Sequence, residues 1–217
     1  MDENGVLLKK SLGELIAEQL KKDILIRKIE FGERLIEADI AERFDVSRST
    51  IREALKILEQ EELVMNKNRK GTFVSKFTNV DLDEMTELRL MIETKAFIKA
   101  LDHLDKKHFI ELSAIIDEME IQANNGNWDQ LFGLDLQFHQ YVINRCGNSR
   151  IIKIYESIAV QIRVYMAHLD QYYSSPQSYY KEHKALYEAL LQRDAAIVQK
   201  QVEQHIKYVE DKLLRNS

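Results

Sequence analysis

At 217 residues the chain could hold two modest domains or one large one, and its seven glycines, single proline and wealth of Leu, Ile, Glu, Lys and Ala predict a mostly helical protein. The lone cysteine, Cys146, excludes an intramolecular disulfide; with no basic-then-apolar leader and no apolar run near the roughly 18 residues of a membrane span, a cytoplasmic protein off the membrane is expected. A net charge of −5 argues against nucleic acid unless basic residues cluster, and residues 1–75 hold 14 Lys/Arg against 15 Asp/Glu, so only placement can carry a case for DNA.

Leu12, Leu15, Ile16, Leu20 and Ile24 recur at three- and four-residue spacing among charged residues, which predicts an amphipathic helix ending near Arg27. Ile40, Ala41 and Phe44 mark a short helix, and Ile51, Ala54, Leu55 and Leu58 a longer one. Only Asp45-Val46 separates them before Ser47, so they must turn sharply, with Val46 plugging the corner and Ser47 able to cap the second helix. That is a helix-turn-helix. The β-prone runs 63–66 and 72–75 flank the polar turn Lys67-Asn68-Arg69-Lys70-Gly71 and predict a hairpin wing. Residues 76–80 fit neither periodicity and form the expected linker between a head of residues 1–75 and a second domain of residues 81–217. The second domain reads as helices near 82–103, 106–124, 128–146, 149–169, 178–193 and 195–215, broken at Asp105, residues 124–127, residues 146–148 and residues 174–176. The expected architecture is a winged helix-turn-helix followed by an all-α bundle of six to seven helices.

On the second helix of the motif Arg48, Arg52 and Lys56 recur every four residues, away from the apolar stripe, with Ser47, Ser49 and Thr50 at its N-terminal end. A recognition helix needs this division: one face packs inward while the leading residues enter the major groove. Arginine can pair bidentately with guanine, and the hydroxyls and helix N-terminus suit phosphates. Lys67, Arg69 and Lys70 of the wing could meet phosphate or the minor groove. The same charges could instead be a solvated face paired with Glu53 and Glu59. The tight turn, the hydroxyl cluster and the basic hairpin together favour DNA. The run DVSRSTIREALKILEQEELV (residues 45–64), followed by NRKGTFV, resembles the head of GntR-superfamily bacterial regulators over about 65 residues. The resemblance implies that Ser47, Arg48, Thr50 and Arg52 are the main DNA contacts, with Gly71 shaping the wing tip. Phe31-Gly32 lacks a proline frequent in the family, and Ser49-Thr50 stands where Thr-Pro is common, which leaves the operator sequence open.

In the second domain Asp135 and His139, four apart, share a helix face, and His183 and His205 lie on two further helices. One carboxylate and three imidazoles suit a divalent ion such as Zn²⁺, Ni²⁺ or Mn²⁺, and a bundle core can bring such residues together. Spacing alone leaves open that they are ordinary surface or core residues, the reading kept for His103, His108 and His168. The run DLQFH (135–139), then Gly147-Asn148, then Glu182-His183, then His205, resembles the FCD sensor domain of the FadR-type branch of GntR regulators across most of residues 81–215. The resemblance implies that Asp135, His139, His183 and His205 bind metal. It also implies that the metal accepts a small organic acid and that Arg89, in ELRLMIE, reaches toward that ligand; a surface arginine between Glu87 and Glu93 is the alternative.

The expected function is therefore that of a regulator, by family habit a repressor: a homodimer on a two-fold symmetric operator, its two heads biased by the sensor ligand. Two alternatives stand beside it. A metal-dependent hydrolase would leave Arg48 and Arg52 without a role, and a regulator with a purely structural metal would sense no acid.

Overall fold

The computed structural model describes residues 10–76, 78–168 and 175–215, with the side chains at 79, 160, 164–168 and 209–215 outside that description. The side chain of His168 and the break residue Ser174 thus lie outside the described residues. The chain divides into two compact units, Met1–Lys76 and Phe77–Ser217.

In the first unit, helix α1 (Leu12–Leu25) starts at a capping box, in which Ser11 accepts from the Glu14 amide and Glu14 accepts from the Ser11 amide. Its buried stripe of Ile16, Ala17, Leu20 and Ile24 packs on α3 (Arg48–Gln60), which contributes Ile51, Ala54, Leu55 and Leu58. Between them α2 (Glu37–Phe44) ends on Asp45, in the left-handed region at φ +52°, and this lets the backbone reverse within two residues. The Val46 amide then bonds the Ala41 carbonyl at 3.0 Å, and half-buried Val46 fills the corner. Ser47 caps α3 by accepting from the Thr50 amide at 3.2 Å. Ser47→Ala is expected to cost about 1 kcal/mol, seen as faster amide exchange at Thr50 and through the first turn of α3.

The wing is a hairpin of β2 (Val64–Lys67) and β3 (Gly71–Val74), one residue offset from the expected strands. Its turn needs positive φ at Arg69 (+61°) and Gly71 (+100°). A strand absent from the sequence reading, β1 (Arg34–Leu35), completes an antiparallel sheet in the order β1-β3-β2, with Leu35 opposite Thr72.

The second unit is helical throughout its described residues: α4 (Asn79–Ala100), α5 (Lys106–Asn124), α6 (Trp128–Ile143), α7 (Ser149–His168), α8 (Pro176–Gln192) and α9 (Ala195–Arg215). Helix α4 begins inside the stretch read as linker, because Thr78 and Asp81 form a capping box there. It packs along α9 and against α6 and α7, α5 packs on α6 and α8, and α8 on α9. Phe97, Leu112, Met119, Leu131, Phe138, Val142, Leu190 and Val202 are wholly or almost wholly buried between them. Two histidines expected to be unremarkable have structural places. His108 closes the capping box of Asp105 at the start of α5, and His103 lies against Gly147, where an added Cβ would come within 2.5 Å of its Nε2. Among the described residues no helix is long and apolar enough to cross a membrane.

Candidate nucleic-acid interface and metal centre

The head presents its hydroxyl and guanidinium groups outward. Ser47, Arg48, Ser49 and Arg52 are exposed on the leading turns of α3, while Ile51, Ala54, Leu55 and Leu58 hold the opposite face in the core. The Ser47 hydroxyl lies 2.7 Å from that of Ser49 and 2.8 Å from that of Thr50, so three hydroxyls gather at the helix N-terminus, where the backbone dipole attracts anions. Lys67, Arg69 and Lys70 are exposed on the wing. Gly71 lies against Arg34, whose Nε would stand 3.2 Å from a Cβ at that position. Arg34 thus adds a cation beside the wing turn, a neighbour invisible without the β1–β3 pairing.

Arg52 is held by an acid that the sequence did not suggest. Its Nε donates to both carboxylate oxygens of Glu37, on α2, at 2.9 and 3.1 Å. Glu53, expected as a partner of this basic row, turns the other way and accepts from the Ser11 hydroxyl at 2.8 Å. The difference comes from helix crossing: α2 lays Glu37 beside Arg52, whereas Glu53 points toward the start of α1.

In the second unit α6, α8 and α9 bring three imidazoles together. One nitrogen from each of His139, His183 and His205 lies within 4.8 Å of the others, and all three residues are buried. Asp135, also buried, joins them: its Oδ1 is 3.6 Å from His139 Nε2 and its Oδ2 is 3.4 Å from His183 Nε2. Donors about 2.0–2.2 Å from a metal stand about 3.3–3.6 Å apart in a tetrahedron, so this spacing suits a shared ion. All four sequence-predicted ligands are therefore neighbours.

The outer nitrogens of these rings face acceptors. His183 Nδ1 donates to the Tyr179 carbonyl at 2.9 Å. His139 Nδ1 lies 2.7 Å from Glu93 Oε2, in contact but outside hydrogen-bond geometry. His205 Nδ1 faces Glu182 Oε2 at 3.6 Å. For His183 the acceptor behind Nδ1 leaves Nε2 as the nitrogen with an available lone pair. The Nε2 atoms of all three histidines are buried without a hydrogen-bond partner, and leaving such atoms unsatisfied costs about 1–3 kcal/mol each. The three converging histidines, with a carboxylate 3.4–3.6 Å from the Nε2 atoms of two of them, fit a divalent transition metal.

Charge in this cluster is organised around Asp135 and Glu93. Burial works to raise the Asp135 carboxyl, but His183 and His139 hold it well below the usual carboxylate range, and the Tyr179 hydroxyl donates to it. Burial would lower His183, and Asp135 outweighs it and raises the ring. His205 goes the other way: burial, then His183 and His139, push it well below its ordinary value, which leaves it neutral and ready to donate a lone pair.

Arg89 is 3% exposed, so the surface alternative for it does not hold. Its Nε donates to Glu93 Oε1 at 2.6 Å and its Nη2 to Oε2 at 3.3 Å. Burial alone would raise Glu93, but Arg89 and then His139 bring it to about 2. Glu93, fully buried, is the residue of this cluster that the sequence reading passed over. Its signal was an Arg-Glu pair four residues apart inside the apolar run Leu88, Leu90, Met91, Ile92.

Comparison with known proteins agrees with both halves of this description. Residues 12–74 match the family of bacterial regulatory proteins, gntR family, and residues 84–208 match the FCD domain. The chain is 29% identical over 213 residues to the gluconate operon transcriptional repressor of Bacillus subtilis, covering 95% of this chain and 87% of that one. It is 31% identical over 141 residues to the HTH-type transcriptional regulator YdhC of Bacillus subtilis, a match that spans 64% of this chain and 63% of that protein. Escherichia coli McbR/YncC shares the fold, with a TM-score of 0.78 at 19% identity, covering 96% of this chain and 100% of that one. These families and relatives are regulators rather than enzymes, which removes the hydrolase alternative, and FCD domains commonly bind metal. With a GntR head on residues 12–74 and an FCD domain on residues 84–208, the chain belongs to the GntR family of transcriptional regulators.

Proposed function

We propose that this regulator is a repressor that binds a two-fold symmetric operator as a homodimer and senses a small organic acid at a metal in its FCD domain. Ser47, Arg48, Ser49, Thr50 and Arg52 read or anchor the operator from α3, and Lys67, Arg69 and Gly71 place the wing along the backbone. Asp135, His139, His183 and His205 hold the metal, whose identity among Zn²⁺, Ni²⁺ and Mn²⁺ is left to experiment. A divalent ion there supplies a Lewis-acid anchor for carboxylate oxygens. The chain adds the buried guanidinium of Arg89, whose planar donors match a carboxylate.

The observation that supports the sensor reading is the convergence of His139, His183 and His205, one nitrogen of each within 4.8 Å of the others, with Asp135 beside the partnerless Nε2 atoms of His139 and His183. The relatives that repress, among them the gluconate operon repressor of Bacillus subtilis, support the sign of regulation.

Operator selection from random duplexes, run on metal-loaded and on chelated protein, tests the whole reading. Enrichment of a palindrome with half-sites about one helical turn apart is expected, with different affinity in the two samples. No enriched sequence would end the operator reading. Equal affinities in the two samples, with no thermal shift from any of a panel of mono- and dicarboxylic acids, would reduce the metal to a structural role.

A further inference from the structure

Glu93 touches two groups that the proposed function treats separately. Oε1 accepts from Arg89 at 2.6 Å, while Oε2 lies 2.7 Å from Nδ1 of His139. The carboxyl group is wholly buried, where a charge costs several kcal/mol unless well-placed partners offset it. A counter-ion for Arg89 alone would have no need to reach an imidazole. A carboxylate behind one ring nitrogen keeps the proton on that nitrogen, frees the other for a metal and raises its basicity. Nε2 of the same ring lies 3.6 Å from Asp135 Oδ1, on the side of the other metal-site donors.

We propose that Glu93 is a positioning residue: its Oε2 behind Nδ1 holds the His139 ring so that Nε2 faces the metal, while Arg89 anchors the carboxylate through Oε1. The proposal rests on the metal reading of Asp135, His139, His183 and His205. Because one carboxylate serves both the guanidinium and the imidazole, whatever draws Arg89 away also alters the hold on His139. Glu93 thus joins Arg89, proposed to meet the acid, to His139, proposed to hold the metal.

The test uses the full chain and Co²⁺ as a coloured probe, with affinity read by chelator competition and ligand field by the visible absorption bands. Removing Glu93 alone strands Arg89, so the informative comparison is Arg89→Met against the double variant Arg89→Met/Glu93→Gln, in which the buried pair is replaced by neutral side chains of similar volume. Circular dichroism checks that both fold. The double variant is expected to bind Co²⁺ about 10- to 100-fold more weakly than Arg89→Met and to show shifted absorption bands. In zinc-loaded protein, the ¹⁵N shifts should show His139 bound through Nε2 when Glu93 is present and a mixture of Nε2- and Nδ1-bound rings in the double variant.

Equal Co²⁺ affinity and identical bands in the two variants would make Glu93 a counter-ion for Arg89 and overturn the proposal. A distinct result, in which wild-type protein binds no Co²⁺ or His183→Ala binds it as well as wild type, would remove the metal site itself and the proposal with it.

Discussion

Replacing Arg48 and Arg52 together by alanine should bring operator affinity down to nearly that for unrelated duplex. Each bidentate arginine–guanine contact is worth about 1–3 kcal/mol of discrimination, so the pair accounts for roughly 30-fold to 10⁴-fold. The head should stay folded. Arg48 lies on the exposed face, and the Arg52–Glu37 pair is solvent-exposed, a class of ion pair worth about 0–1 kcal/mol. Fluorescence anisotropy at one fixed salt concentration, with a selected operator and a scrambled duplex, makes the measurement. The specific complex should weaken far more than the non-specific one, and an unchanged ratio between them would move the reading role away from α3. Lys67→Ala or Arg69→Ala in the wing should weaken both complexes by similar factors, as expected for phosphate contacts.

The second large effect concerns the FCD domain. Metal added at 100 times its dissociation constant stabilises a folded site by about 2.7 kcal/mol, a rise in melting temperature of roughly 5–10 °C for a domain of this size. Thermal melts of chelated protein titrated with Zn²⁺, Ni²⁺ or Mn²⁺ should show such a shift with at least one of the three. His183→Ala or Asp135→Ala should abolish it. The reading is the metal-induced shift and not the absolute midpoint, so it survives destabilisation caused by the substitution. A full shift in His183→Ala would place any bound ion elsewhere.

Much of this was legible in the sequence, because its cues are local. The Asp45-Val46 turn, the Ser47 cap, the wing glycine and the three- and four-residue apolar spacing each act within a few residues, and the helices follow from them. Asp135 and His139 were visible as partners for the same reason. His183 and His205 meet them only because α8 and α9 pack beside α6 and α4, which no spacing along the chain encodes. Strand β1 was missed because two residues, Arg34 and Leu35, cannot display an alternation; its pairing with β3 defines it. Glu93 was missed because a charged pair at i, i+4 ordinarily marks a solvated face. Helix α4 buries that pair instead, so its inward face carries Arg89 and Glu93 among apolar neighbours.

The pairing of Arg52 with Glu37 bears on how the regulator searches a chromosome. A head with 14 cations and 15 anions in its first 75 residues has no excess charge to drive it onto arbitrary duplex. If Arg52 reads the operator as proposed, the acid beside it also disfavours random contact, since Glu37 would repel phosphates unless Arg52 found a base to offset the broken pair. Such a protein should slide little, dissociate quickly from non-target sequence and show a shallow salt dependence there. Its time bound to the chromosome would then be concentrated at operators.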